Sequence, residues 1–348
     1  MSKVALIFPY LRTHTPNEIL FPPLGIASLT SQLRLRDIET KIFDCTFSTL
    51  EQVHNGLVSY HPDVVGIYCM ITQSRNTFRI VEDAKADLPD SLMVIGGPLP
   101  TLYPERFSGS FDAVFRGEAD LSFPRFCQDY FSQNVSRERL MELPLDTYEG
   151  LFIQAQELQI DNSTIHYPEK VIQSFPLPDR SDFDHTAYQQ EWLRGRGIKT
   201  TSLMVTLGCP FDCDFCSRPI FGNRFRRRNL EAVFEEIEQI RNLGYDSLWI
   251  ADDNFTLNLD FLVEFCQHMA GRRMQWSCLS RSTGINAEIA RLMNSSATTP
   301  FVWDRSSSAS ARISAALLRR AMTVSPRMEM ISPLMLRWFR SARTLIFS

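Results

Sequence analysis

The first 130 residues alternate five nearly continuous apolar runs with segments of helical periodicity. In chain order the runs are KVALIF, ETKIFDC, DVVGIYCM, SLMVIGGP and FDAVFRGE. Apolar runs without polar alternation are typical of strands buried on both faces, as in a parallel sheet with helices on both sides. The pattern therefore predicts an N-terminal doubly wound α/β domain with a parallel sheet. Ligands of such domains bind beyond the carboxyl ends of the strands.

Composition and charge limit the class of protein. The chain has 348 residues, of which 44% are hydrophobic and 22% charged, and its formal net charge is -4. The length suggests two domains, and the charge argues against a protein that coats nucleic acid or an anionic membrane. No apolar run approaches the roughly 20 residues that span a bilayer, and the N-terminus lacks the pattern of a signal peptide. We therefore expect a cytoplasmic protein whose eight cysteines bind metal or take part in chemistry, rather than form disulfides.

Glycine and small polar residues follow the predicted strands, at the edge where a ligand would bind. They lie within residues 22–25, 66–70, 96–101 and 117–118. Glycine lets the backbone approach a ligand closely, although each segment alone is also compatible with an ordinary strand-to-helix turn. The region has no G-x-G-x-x-G motif, so a nicotinamide cofactor is disfavoured.

The segments PPLGIASLTSQLR, DVVGIYCM, GGPLPT and FRGEAD resemble the flavodoxin-like cobalamin-binding domain found at the N-terminus of many radical S-adenosylmethionine (SAM) enzymes. The resemblance implies a cobalamin-binding domain over residues 1–135, with the corrin ring over the strand ends. It implies that ten residues line the pocket: Tyr68, Cys69, Met70, Ser74, Gly96, Gly97, Pro98, Thr101, Gly117 and Glu118. The D-x-H-x-x-G motif that supplies a histidine to cobalt is absent. We therefore expect no histidine on cobalt and interpret His14, His54 and His61 as surface residues.

Residues 136–198 lose the strand–helix alternation and are rich in proline and acidic residues, which favour loops and turns. We expect a linker between two domains that contains a small hairpin, with Asp161 and Asn162 at its turn. His166 and His185 also lie in this segment, and the sequence offers neither of them a base or metal partner.

Three cysteines, Cys209, Cys213 and Cys216, lie in TLGCPFDCDFC, between a predicted strand and a predicted helix. In a β/α barrel that position is the chemical face. Thiolates select iron–sulfur clusters, zinc or copper(I), and structural zinc requires four ligands. Cys266 and Cys278 fall within a predicted helix and a predicted strand, where they are better explained as small buried apolar side chains. The set of three therefore favours an iron–sulfur cluster with one open iron over a zinc site.

The C-x-x-x-C-x-x-C spacing, with Phe215 before the third cysteine, resembles the signature of the radical SAM superfamily. The resemblance implies a [4Fe-4S] cluster whose open iron binds SAM, with Phe215 near the adenine. Asp252 and Asp253 end a second predicted strand, where the family holds the methionine part of SAM; they are equally compatible with solvated acids at a helix N-terminus. Arg281 ends a third strand and is a candidate for the SAM carboxylate. Residues 224–228 (RFRRR) resemble family text but are also compatible with a solvated basic loop.

The resemblance to a partial β/α barrel of the radical SAM type covers residues 199–293. Residues 294–348 contain no glycine, only two acidic residues and none of the glycine-containing strands with which the family continues. Read one base later, codons for residues 303–305 can spell Gly-Ile followed by Asp or Glu, as in a SAM-binding motif of the family. We hypothesise that this segment is translated out of frame, and expect it to truncate the barrel and to be poorly ordered.

The two resemblances together imply an enzyme that cleaves SAM to methionine and a 5′-deoxyadenosyl radical, and that uses cobalamin to methylate an unactivated carbon of a small-molecule substrate. They also imply an external electron donor of the flavodoxin or ferredoxin type, with no nucleic-acid or membrane partner. Two alternatives stay open. One is a radical cyclase or rearrangement enzyme of the anaerobic porphyrin cyclase type, and the other is a truncated, non-catalytic protein that binds cobalamin and a cluster.

Overall fold

The structure, a computed structural model, describes residues 2–12, 18–155, 158–213, 216, 220–281, 285–297, 302–303 and 311–314. Within these residues the chain forms a seven-stranded sheet, a five-stranded sheet and a two-stranded ribbon. The α/β class predicted from the apolar runs is confirmed, with a parallel-dominated sheet in the first half and a mixed sheet in the second. No helix in the described part of the chain has the length and apolar character needed to cross a membrane.

The first sheet has the strand order β2-β1-β3-β4-β5-β6-β7, and its first five strands run parallel. Its strands are β1 (Lys3–Phe8), β2 (Glu39–Asp44), β3 (Val64–Tyr68), β4 (Leu92–Gly96), β5 (Ala113–Phe115), β6 (Leu151–Ala155) and β7 (Leu158–Asp161). The order 2-1-3-4-5 is that of a flavodoxin-like doubly wound sheet, in which the winding reverses between β1 and β3.

Helices cover both faces of this sheet. They are α1 (Leu24–Arg34), α2 (Leu50–Tyr60), α3 (Ser74–Asp87), α4 (Pro98–Leu102) and α5 (Ser122–Ser132). Strand β1 shows why both faces are covered: its successive residues point to opposite faces of the sheet, and each face packs in its own core. Val4 and Leu6 pack in the core that includes α1 and α5, whereas Ala5 and Ile7 pack in the core that includes α2 and α3. Since both faces are buried, the strand carries no polar alternation, which is the pattern read from the sequence.

Part of the predicted linker belongs to the first sheet. Strands β6 and β7 pair antiparallel to each other, and β6 pairs antiparallel to β5. Residues 151–153 are apolar and buried, so β6 is part of the core of the first half. The hairpin prediction is confirmed but its turn is not. Ala155 pairs with Leu158, so Asp161 lies within β7 and not at the turn, while Asn162 lies beyond β7 and donates its Nδ2 to the carbonyls of Leu145 and Tyr148. The rest of the segment contains α6 (Glu169–Ile172) and α7 (His185–Arg196).

The second half begins with three parallel strands, each followed by a helix. The elements are β8 (Thr200–Leu203), β9 (Thr206–Leu207), β10 (Arg226–Arg227), α8 (Leu230–Asn242), β11 (Ser247–Ile250), α9 (Leu259–Met269), β12 (Gln275–Ser280) and α10 (Ala287–Ser295). Strands β8, β11 and β12 are parallel neighbours, while β9 and β10 form the ribbon. Cys266 in α9 and Cys278 in β12 are completely buried in the core, as predicted. Three strand–helix units of a barrel are thus present.

The sheet does not continue as a parallel barrel after β12. Its next strands are β13 (Val302–Trp303) and β14 (Ala311–Ser314), and β14 pairs antiparallel to β12. Both strands lie within residues 294–348. Residues 298–301, 304–310 and 315–348 lie outside the described part, and the prediction that this segment is poorly ordered stays a prediction.

Candidate cofactor site

The loop that carries the three cysteines is anchored at its base by a buried carboxylate. Asp252, which follows β11, accepts hydrogen bonds from the backbone N–H of Val205 at 2.8 Å and from the N–H and hydroxyl of Thr206, both at 2.7 Å. The residue is 1% exposed, and burial raises the pKa of its carboxyl to about 7. Asp252 is therefore neither a solvated acid nor free to hold SAM. It fixes the chain between β8 and the cysteines.

Glycine is required where the chain enters the cysteine loop. Gly208 has φ +79°, and a Cβ at this position would lie 2.2 Å from the carbonyl oxygen of Arg224. Any other residue would clash with that backbone and would be strained at this φ. The ribbon of β9 and β10 thus brings residues 224–227 directly against the start of the cysteine loop.

The three cysteines are free thiols close to one another. Cys209 is buried, and Cys213 and Cys216 are partly exposed. Burial raises the pKa of Cys209, and the charges of Asp253, Cys216 and Cys213 raise it further, so these four side chains share one electrostatic environment. Phe215 lies outside the described residues. The role of Asp253 in holding SAM stays a prediction, and its charge is among those that raise the pKa of Cys209.

Arg281 reaches this site from the end of β12. Its Nη1 lies 3.6 Å from the Sγ of Cys213, and its guanidinium lies 3.9 Å from the ring centroid of Phe211. Its Nε is buried without a hydrogen-bond partner. The ends of three parallel strands therefore bring together the cysteines, an acid and a cation. The contact of Arg281 with Phe211 could not be predicted from the sequence, because the two residues are far apart along the chain.

The three thiols are the ligand type that an iron–sulfur cluster takes. In the described ranges no three Cys, His, Asp or Glu side chains gather at metal-binding distance. Three soft thiols in one loop, together with an unpartnered guanidinium N–H beside them, match a cluster with an adjacent anionic ligand.

The predicted cobalamin residues meet at the carboxyl edge of the first sheet. Gly97 has φ +105°, and a Cβ there would lie 2.8 Å from the carbonyl oxygen of Cys69, so the loops after β3 and β4 touch. The hydroxyl of Thr101 donates to the Gly97 carbonyl at 2.8 Å and accepts from the N–H of Gly117 at 2.9 Å. These contacts bring nine of the ten predicted residues to one edge: Tyr68, Cys69, Met70, Ser74, Gly96, Gly97, Pro98, Thr101 and Gly117.

Glu118 has a different role from the one predicted. Its carboxylate accepts from Nη1 and Nη2 of Arg226 at 2.8 and 2.5 Å, and from the N–H of Tyr167 at 2.9 Å. Both side chains are buried, so the carboxylate is not available to cobalamin. The pair joins the end of β5 in the first half to β10 in the second. It was missed because Glu118 and Arg226 are 108 residues apart, and the sequence gives no distance between them.

The run of arginines is not a solvated loop. Arg227 pairs with Glu169, and Arg228 pairs with the buried Glu236 at 2.7 Å. The histidines near these sites are also partnered. His166 Nδ1 lies 3.5 Å from the carboxylate of Glu118, and both ring nitrogens of His185 are hydrogen-bonded. The prediction that His166 has no base partner is therefore wrong, whereas the partners of His185 are the Tyr245 hydroxyl and the Arg180 carbonyl, neither of which is a base or a metal. On the surface, His54 pairs with Asp87 and His61 ends α2, while His14 lies outside the described residues.

Comparison with known proteins identifies both halves. Residues 18–126 match the B12 binding domain, and residues 203–299 match the radical SAM superfamily. An uncharacterized methyltransferase of Pyrococcus horikoshii is 27% identical, over 78% of this chain and 58% of that protein. An anaerobic magnesium-protoporphyrin IX monomethyl ester cyclase of Rubrivivax gelatinosus is 25% identical, over 76% of this chain and 48% of that protein. The chain spans about half the length of the curated relatives it matches.

The fold is that of solved cobalamin-dependent proteins. The structure of the radical SAM methyltransferase TsrM from Kitasatospora setae, with cobalamin and a [4Fe-4S] cluster bound, matches with a TM-score of 0.68 at 16% identity, covering 85% of this chain and 59% of TsrM. Cobalamin and a [4Fe-4S] cluster, two of the cofactors predicted from the sequence, are those bound in that TsrM structure. With both domains in this order on one chain, the protein is a radical SAM superfamily member that carries an N-terminal B12 binding domain.

Proposed function

We propose that the chain binds a [4Fe-4S] cluster on Cys209, Cys213 and Cys216, binds SAM beside it and cobalamin on the first sheet, and methylates an unactivated carbon of a small molecule. When bound, the cluster would supply the electron that cleaves SAM to methionine and a 5′-deoxyadenosyl radical, and cobalamin would supply the methyl group. An external flavodoxin- or ferredoxin-type protein would deliver the electron.

The observation that carries this proposal is the ion pair between Glu118 and Arg226. Glu118 ends the loop after β5, at the edge where the predicted cobalamin residues meet. Arg226 pairs across the ribbon with Leu207, two residues before the first cysteine. A buried bidentate pair fixes geometry more tightly than a flexible linker would. The chain thus has the means to hold two cofactors next to each other, as transfer between them requires.

The other residues of the site would position and shield the reactants. Asp252 holds the base of the cysteine loop through three hydrogen bonds. Arg281 presents a cation beside the cysteines, where it would attract the carboxylate of SAM. Gly97 and Thr101 hold the strand ends in the close approach that leaves backbone exposed to a flat ligand.

A second candidate is a radical cyclase, favoured by the similarity to the Rubrivivax cyclase. Anaerobic reconstitution with iron, sulfide, cobalamin, SAM and a reductant separates the candidates. We expect both 5′-deoxyadenosine and S-adenosylhomocysteine. One SAM would be cleaved to the radical that yields 5′-deoxyadenosine, and a second would give up its methyl group and leave S-adenosylhomocysteine. 5′-Deoxyadenosine alone would favour the cyclase. Cofactor spectra without either product would favour a binding protein without turnover, and zinc without iron would contradict the cluster.

A further inference from the structure

The crevice between the carboxyl ends of β1 and β3 is the point where the winding of the first sheet reverses. From β1 the chain crosses to β2 on one side, and it returns on the other side at β3. Connections diverge at such a point and leave space for a ligand. The crevice is narrow here, because Asn76 in the first turn of α3 donates its Nδ2 to the carbonyl of Pro9 at 3.1 Å.

Gln73 lies on the β3 side of this crevice and is buried without a hydrogen bond. Its side chain is 1% exposed, and neither its Oε1 nor its Nε2 has a partner. The backbone of Gln73 is held in place by two hydrogen bonds. The Gln73 N–H donates to the carbonyl of Met70 at 2.9 Å, and the Gln73 carbonyl accepts from Thr77 Oγ1 at 3.1 Å. A buried amide without partners destabilises the folded state. Folding alone therefore gives no reason for glutamine at this position.

The same turn exposes its apolar residue. Ile71 is 71% exposed, and Met70 before it is also exposed. At the end of α4, which follows β4, Leu102 and Tyr103 are exposed as well. Globular proteins ordinarily bury isoleucine and expose glutamine. A local reversal of that rule at the ligand edge of a sheet is typical of a functional site. The exposed apolar side chains offer a surface for a large, flat ring.

We propose that Gln73 is a cobalamin-binding residue whose side-chain amide pairs with a carboxamide of the corrin ring. This inference rests on the proposed function, because it requires cobalamin at the first sheet. The ring is fringed with carboxamide side chains, each with one acceptor oxygen and an NH₂ donor. A glutamine amide offers the complementary donor and acceptor. Two hydrogen bonds would form in a crevice that excludes water, where an unmade hydrogen bond is costly.

The pairing gives Gln73 opposite effects on stability and binding. Without cobalamin, its amide is an unsatisfied buried group, so Gln73→Met should raise the Tm of the cobalamin-free protein by a few degrees. With cobalamin, the same substitution removes two hydrogen bonds and should weaken binding about tenfold. A residue with a merely structural role would not give this combination. The two measurements are thermal unfolding of the cobalamin-free chain and titration with hydroxocobalamin followed by its visible spectrum.

Gln32 provides a matched control. It is also buried, but it lies in α1 and its Oε1 accepts from Nη1 of Arg36 at 3.1 Å. Gln32→Met should therefore lower the Tm or leave it unchanged, and should not alter cobalamin affinity. The inference is wrong if Gln73→Met lowers the Tm of the cobalamin-free protein. It is also wrong if the Gln73→Met protein binds cobalamin as tightly as the wild type. If the wild-type chain takes up no cobalamin at all, the proposed function fails, and this inference fails with it.

The ring and the nucleotide tail of cobalamin can be told apart with cobinamide, which keeps the ring carboxamides and lacks the nucleotide. We expect Gln73→Met to weaken cobinamide binding by the same factor as cobalamin binding. A loss that is present with cobalamin and absent with cobinamide would place the partner in the tail and overturn the assignment to a ring carboxamide.

Discussion

The ion pair between the two halves should contribute strongly to stability. Glu118 and Arg226 are 3% and 4% exposed, and the carboxylate accepts three hydrogen bonds. In Glu118→Gln the guanidinium stays buried without its counter-charge, and one of the acceptors becomes an NH₂ group. Removing one partner of a buried pair costs about 3–5 kcal/mol. Because Gln still accepts at one oxygen, we expect a loss of about 3 kcal/mol in the free energy of unfolding.

Urea unfolding followed by tryptophan fluorescence measures this loss. Glu169→Gln is a matched control, because Arg227 and Glu169 form a neighbouring pair whose side chains are 38% and 32% exposed. An exposed pair contributes about 0–1 kcal/mol. Replacing both partners, as Glu118→Gln with Arg226→Met, should restore part of the loss, since the unpaired charge is then removed. A Glu118→Gln protein as stable as the Glu169→Gln control would refute the role assigned to this pair.

Three further predictions concern the ligand sites. Gly97→Ala should lower stability and cobalamin affinity, because its Cβ would meet Cys69 at a φ of +105°, whereas Gly109→Ala, in the segment before β5 and with no atom within 4 Å, should change neither. Asp252 has a raised pKa of about 7, so the folded chain binds its proton more tightly than the unfolded chain does. The contribution of Asp252 to the free energy of unfolding should therefore decrease as the pH rises from about 4 to about 7. Asp252→Asn should remove this pH dependence, as measured by urea midpoints across that range. Cys213→Ser should abolish iron binding after reconstitution, whereas Cys266→Ala, in the buried core, should retain it.

Local sequence patterns predicted the elements well. The apolar runs located the five parallel strands because both faces of each strand are buried. Asn229 immediately precedes α8, and its Oδ1 accepts hydrogen bonds from the N–H groups of Glu231 and Ala232, as asparagine commonly does at an N-cap. The cysteine spacing located the loop that carries Cys209, Cys213 and Cys216, because the three residues are close in sequence. In each case the determining contacts lie within a few residues of one another.

Long-range contacts could not be predicted in the same way. The sequence marked Glu118 and Asp252 as acids at strand ends, but not that each would be saturated by buried donors. Whether such an acid faces a ligand or a protein partner depends on residues far along the chain. Residues 151–161 were predicted as part of a linker, since a short antiparallel pair at a sheet edge gives little periodicity. Gln73 gave no signal at all, because its missing partners are a property of the fold.

Electron paramagnetic resonance of the reconstituted, reduced chain tests the central claim most directly. The claim is that Cys209, Cys213 and Cys216 hold a [4Fe-4S] cluster whose open iron binds SAM. The predicted result is a reduced-cluster signal whose g values shift when SAM is added, and which is lost in Cys213→Ser. A signal that does not respond to SAM, or a chain that binds one zinc and no iron, would contradict the claim.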